Sequence, residues 1–152
     1  PPARRGHRPG LVSVVVTVVA PASPDAVWGR WTAFADWPRW NPACVAASID
    51  GAVAEGSRLD LQLSAPTGRP FYTRPVITEV VAPTRITWEA RGTGVRARTT
   101  TLLSPEPDGT RVSIEADVAG VLALTYRIAL GDKVQARMYV AMLDALTDSL
   151  RA

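Results

Sequence analysis

The chain is poor in the residues that most often carry out chemistry. Its 152 residues include one cysteine, Cys44, and one histidine, His7. A lone cysteine excludes an internal disulfide and fits a reducing, cytoplasmic setting. His7 falls in the opening segment PPARRGHRPG, residues 1–10, which has no periodicity and reads as a flexible tail. The body, residues 11–152, therefore offers no imidazole as a general base or metal ligand, and Cys44 has no base to activate it. A GxSxG elbow and a glycine-rich phosphate loop are also missing, so no cofactor is expected. Long apolar runs are absent too. The longest, Val12 to Ala20, is interrupted by Ser13 and Thr17 and is only strand-length. No membrane insertion is expected, and nothing at the N-terminus reads as a signal peptide.

Lysine is nearly absent as well: Lys133 is the only one, and arginine supplies the rest of the 17 basic residues. The net charge of +3 invites a nucleic-acid reading. However, Arg4, Arg5 and Arg8 lie in the tail, and the remaining arginines are scattered among acidic residues with no aromatic-basic motif. No nucleic-acid partner is expected.

What is present suits one globular domain over residues 11–152. Apolar residues make up 47% and charged residues 20%, and a chain of this length buries roughly 70% of its unfolded surface on folding. Leu11 to Ala20 is rich in β-branched residues and reads as a strand ended by Pro21. Ser23 is a good N-cap, Pro24 suits the first helical position, and Asp25 complements the helix dipole. Val27, Trp28, Trp31 and Phe34 follow at helical spacing. The helix should stop near Ala35, because Pro38 disfavours helical geometry at Trp37.

Beyond Trp40-Asn41-Pro42 the period becomes two. Leu59, Leu61 and Leu63 alternate with polar residues, as do Ile86 and Trp88, and Val112, Ile114, Ala116 and Val118. Turn signals at Asp50-Gly51, Pro66-Thr67-Gly68, Ala82-Pro83-Thr84, Gly92-Thr93-Gly94 and Pro107-Asp108-Gly109 separate these runs. About six strands in an antiparallel meander follow the first helix. A long helical segment begins after Gly120, with Gly131 a candidate break. From Asp132 it is amphipathic: Met138, Tyr139, Met142, Ala145, Leu146 and Leu150 share one face, and Lys133, Arg137, Asp144, Asp148 and Arg151 the other. The class is α+β. A curved antiparallel sheet with the last helix laid across its concave face buries both apolar surfaces and can leave a ligand-sized void between them.

Several of these stretches resemble a known group. Ala22 to Trp31 (ASPDAVWGRW), Phe34 to Pro42 (FADWPRWNP), Val80 to Trp88 (VVAPTRITW) and Gly109 to Val112 (GTRV) are similar to the START/Bet v 1-like superfamily, SRPBCC, in its polyketide cyclase/dehydrase and lipid-transport branch. The resemblance covers roughly Val12 to Leu150. It implies the helix-grip fold, with about seven strands wrapped around a long C-terminal helix and two short helices after the first strand. It also implies a small hydrophobic, polyketide-like or lipid-like ligand held in an internal cavity. The implied activity is cyclisation or dehydration without metal or cofactor; the alternative is a non-catalytic carrier or sequestering protein. A monomer or a homodimer is expected.

For the cavity the candidates are Trp40, Tyr72, Arg74, Trp88, Tyr126, Met138, Tyr139 and Met142. Trp28, Trp31 and Trp37 read as packing, Trp40 as packing or pocket mouth, and Asn41 as ordering the turn. Placing Glu79 outward puts Tyr72, Arg74, Val76, Thr78 and Val80 inward. An inward Arg74 would need an anionic or carbonyl-bearing ligand, and a cavity arginine is what the cyclase resemblance implies. Pro75 can bulge the strand, though, and a one-residue slip would turn Arg74 to solvent and leave Phe71 and Ile77 inside. Arg74 and Tyr139 are the candidate catalytic pair, with a phenol able to donate to a ligand carbonyl. Arg96 and Arg98 read as a solvated face, and Glu89 and Glu115 alternate outward. Methionines suit an adaptable pocket wall.

Overall fold

The computed structural model describes residues 12–64, 68, 70–122 and 132–151. Strand β1 (Val12–Ala20) leads into helix α1 (Pro24–Thr32), a 3₁₀ turn (Phe34–Asp36) and the short helix α2 (Trp37–Trp40). Strands β2 (Cys44–Asp50), β3 (Arg58–Ser64), β4 (Pro70–Thr73), β5 (Val76–Val81), β6 (Arg85–Gly92), β7 (Val95–Glu106) and β8 (Gly109–Ala119) follow, and helix α3 (Asp132–Ser149) comes last. The 1–10 tail and Tyr126 lie outside the described residues.

Ser23 caps α1 as its chemistry suggests, its hydroxyl accepting from the Ala26 N–H at 3.2 Å, with Pro24 in the first turn. The end of this region departs from expectation. Helix α1 stops at Thr32, and Trp37 is helical (φ −51°, ψ −43°), because Pro38 occupies the first turn of a new helix rather than interrupting an old one. A proline is tolerated there because its missing N–H would have had no partner in the helix.

All strand pairings are antiparallel, in the order β1-β8-β7-β6-β5-β3-β2, with β4 added beside β3. Seven strands thus form the continuous sheet, closed at one end by β1 and at the other by β2. The β7–β8 turn relies on Gly109, at φ +145°, where a Cβ would run into the carbonyl of Ala20 at the end of β1. Only glycine fits that approach. The Thr110 hydroxyl donates to the Ala22 carbonyl at 2.7 Å and ties the same corner to the start of α1.

On β8 every second residue, Val112, Ile114, Ala116 and Val118, is buried, and all face inward. Trp88 and Ile86 do the same on β6, and Leu59, Leu61 and Leu63 on β3. Helix α3 buries Met138, Tyr139, Met142, Leu143 and Leu146. It packs against β1 and reaches α2, and the Arg30 guanidinium bonds the Ser149 carbonyl at 3.1 Å to fix its last turn to α1. This is the helix-grip arrangement, and no helix among the described residues is long and apolar enough to cross a membrane.

The segment around Pro75 corrects one inward-facing set. Tyr72 and Arg74 point to the outer face, the Arg74 side chain 58% exposed, while Phe71, Thr73, Pro75 and Ile77 turn inward. Two interruptions cause this. The chain leaves regular strand at Arg74 and Pro75, held to β3 by the Leu59 N–H on the Pro75 carbonyl and the Ile77 N–H on the Ser57 carbonyl, both 2.8 Å. The β5–β6 register then slips between Ile77 and Glu79. That bulge lets Ile77 and Val80, three residues apart, both pack on the core, so counting back from an outward Glu79 gives the wrong face for everything before it.

Candidate functional site

A small cavity of about 40 Å³, partly open to solvent, lies between the concave face of the sheet and α3. Its floor comes from the inward-facing rows of Leu61 and Leu63 on β3, Phe71 and Thr73 on β4, Trp88 and Ala90 on β6, Ala97 and Thr99 on β7, and Ile114 on β8. Trp31 and Trp37 close one side, and Gln135, Tyr139 and Met142 of α3 form the roof.

The aromatic side of the wall is a cluster rather than a single ring. Trp31 stacks on Trp88 with centroids 6.5 Å apart and planes at 18°, and lies 4.7 Å from Trp37. Phe34 meets Trp88 edge-on at 5.8 Å. The Trp37 indole N–H donates to the Trp31 carbonyl at 2.7 Å, which fixes α2 against α1. Among the described residues, the buried indole nitrogens of Trp31 and Trp40 have no hydrogen-bond partner. Asn41 is fully buried, its Oδ1 accepting from the Ala43 N–H at 3.0 Å, so it orders the turn into β2. Packed rings of this kind are rigid and present a flat apolar surface at low entropic cost.

Of the residues singled out from the sequence, the cavity brings together Trp88, Tyr139 and Met142. Met138 is buried in the core beside them, and Trp40 packs against Trp31 and Trp37 behind the wall at 6.3 and 6.0 Å. Tyr72 and Arg74 are not in the cavity. Asp60 on the outer face of β3 accepts from the Tyr72 hydroxyl at 3.0 Å and pairs with the Arg74 guanidinium at 3.2 Å. Arg74 is removed as a catalytic candidate, because a side chain held on the convex face cannot reach a ligand within the concave one. Arg98 likewise faces outward and clasps Glu89 through two hydrogen bonds of 2.7 and 2.9 Å.

Sequence reasoning did not single out Thr73, Thr99 or Gln135, placed Phe71 inside only under the one-residue slip, and favoured packing over a ligand wall for Trp31 and Trp37. For Phe71 and Thr73 the signal was the proline-induced slip. For Thr99 it was hidden, because Leu102 and Leu103 are both apolar and leave the parity of β7 ambiguous; the pairing Trp88 with Thr99 with Ala116 settles it. Cys44 is buried, which pushes its thiol above the ordinary range against the opposing pull of a backbone hydrogen bond from Ala46, and it takes no part in the cavity wall.

The comparisons with known proteins agree with this geometry. A family model described as polyketide cyclase / dehydrase and lipid transport matches residues 12–151. The chain belongs to this family. No curated protein sequence matches it. Among solved structures it is similar to the di-domain ARO/CYC StfQ from the steffimycin biosynthetic pathway (TM-score 0.74, 13% identity over 91% of this chain), and it spans 50% of that protein's length. It is also similar to a START superfamily protein from Mycobacterium smegmatis (TM-score 0.72, 17% identity, 91% of this chain and 96% of that one). Protein CV1439 from Chromobacterium violaceum gives a TM-score of 0.73 at 17% identity, covering 93% and 99% of the two chains. These likenesses establish the fold. Membership in the polyketide cyclase/dehydrase family places the cavity in a fold that binds hydrophobic ligands.

Proposed function

We propose that the protein binds a small, largely apolar molecule in the cavity between the sheet and α3 and shields it from water, as a carrier or sequestering protein. The observation that carries this reading is the wall itself. Trp31, Trp37 and Trp88 face Tyr139 and Met142 across a space open at one end, and apolar side chains dominate the surface between them. Transfer of an apolar ligand into such a site contributes roughly 25 cal/mol per Å² of surface removed from water. Holding a ligand requires no acid–base machinery. Among the described residues, the wall carries no carboxylate, imidazole or guanidinium.

Native mass spectrometry of the protein from its own host, with extraction of co-purifying small molecules, tests the reading. A stoichiometric apolar adduct, lost when Trp88→Asp places a charge in the cavity, is the expected result. A protein that stays free of adducts and gains no thermal stability from any of a broad set of apolar molecules would overturn it.

A second reading has a specific observation behind it. The family description and the likeness to an ARO/CYC protein favour cyclisation or dehydration of a bound chain, and Tyr139 is the phenol on the wall. Confinement would bring the reacting carbons together, while the Tyr139 hydroxyl would donate a hydrogen bond to a carbonyl as charge builds on its oxygen. Turnover that falls in Tyr139→Phe while ligand affinity holds would support this reading; equal turnover in the two proteins would remove it.

A further inference from the structure

Three neutral polar side chains interrupt the apolar wall: Thr73 on β4, Thr99 on β7 and Gln135 on α3. Each is half-buried, and none hydrogen-bonds to another described residue. A strand hydroxyl or helix amide used only for architecture normally caps a turn or bonds a neighbouring strand, as Thr87 does with Thr100 and Thr110 with Ala22 in this same sheet. These three, by contrast, have no such partner among the described residues, and they line the cavity from three separate elements.

The arginines next to two of them have been directed elsewhere. Arg74 follows Thr73, and Arg98 precedes Thr99, but strand alternation sends both to the convex face, where Asp60 and Glu89 hold them. The sheet therefore presents hydroxyls inside and guanidiniums outside at both places. No charged side chain stands among the described lining residues. An anionic group brought into this wall would lose its hydration without meeting a cation, whereas a hydroxyl or carbonyl would find partners.

We infer that Thr73, Thr99 and Gln135 are specificity-determining residues that select an uncharged, oxygen-bearing ligand over an acid of the same shape. This rests on the binding reading above and deepens it, because it names the charge state and functional groups of the ligand. The Thr hydroxyls and the Gln amide each donate and accept, so alcohols and ketones both satisfy them.

Three rigid tricyclic probes of one shape test the inference by isothermal titration calorimetry at pH 7: fluorene, 9-fluorenol and 9-fluorenecarboxylate. The expected order is fluorenol tightest, with the carboxylate weaker than fluorenol by at least about tenfold. Thr99→Val and Gln135→Leu should each reduce the advantage of fluorenol over fluorene, read as the ratio of their affinities in the same variant, by roughly threefold or more. These variants lie on different elements, so misfolding of one, read by circular dichroism, leaves the other as the test. A carboxylate that binds as tightly as fluorenol overturns the inference, as do two folded variants that retain the full preference. If fluorene and fluorenol both fail to bind, the cavity reading falls and the inference falls with it, an outcome distinct from loss of selectivity alone.

Discussion

The two halves of the sheet are built from similar residues and behave differently. In the β6–β8 half, the β6–β7 and β7–β8 pairings each keep one continuous register, and the inward and outward faces follow the alternation of the sequence without a break. In the β3–β5 half, the partner of β3 is split at Arg74 and Pro75, and the β5–β6 pairing slips between Ile77 and Glu79. The ion pairs follow the same division. Glu89 is 9% exposed beneath Arg98, whereas Asp60 holds Arg74 and Tyr72 at an open surface. A strand with two continuous neighbours has no freedom to shift its faces; one with a proline and an interrupted neighbour can change faces within a few residues.

Mutations can break this contrast by steps. The largest effect belongs to the continuous half: Ile114→Ala on β8 should destabilise the protein by about 2–5 kcal/mol in denaturant unfolding, because the rigid pairing around it prevents collapse into the space. A cost below 1 kcal/mol would show that this half relaxes as easily as the other.

Next comes Glu89→Ala, which leaves the part-buried Arg98 without its clasp and should cost about 1–3 kcal/mol by the same assay. Arg74→Ala, its counterpart in the interrupted half, should cost less than about 1 kcal/mol, since exposed pairs are screened by water and salt. It should also leave ligand affinity unchanged. A binding defect in Arg74→Ala would return this side chain to the cavity.

The smallest effect is a titration. The hydrogen bond to Asp60 raises the Tyr72 phenol above its ordinary value of 10, with slight desolvation adding to it and the charge of Arg74 opposing it. Because the folded pKa is the higher one, the hydrogen bond is present below pH 10 and is lost as pH rises through the folded value. Ultraviolet titration should show one tyrosine ionising late in the wild type and earlier in Asp60→Asn. An unchanged profile would mean that the contact is not kept in solution.

Much of the frame was legible from residues alone. The Ser23–Pro24 start of α1, the alternating faces of β3, β6 and β8, and the apolar face of α3 each follow from local chemistry repeated at a fixed period. The candidate site was read less completely. Trp88, Tyr139 and Met142 sit on strongly periodic elements and line the same cavity. Phe71, Thr73 and Thr99 lie where periodicity fails, at a proline break or beside a Leu-Leu pair, and the side-chain pattern there admits two registers.

The sequence by itself determined the class of fold, the order of its elements and the apolar character of the enclosed face, because these depend on hydrophobic period and turn chemistry within a few residues. Tertiary structure decided which polar side chains enter the cavity. Arg74 against Thr73, and Arg98 against Thr99, differ by one step along a strand, and backbone pairing to the neighbouring strands, together with the carboxylates of Asp60 and Glu89, selects the step.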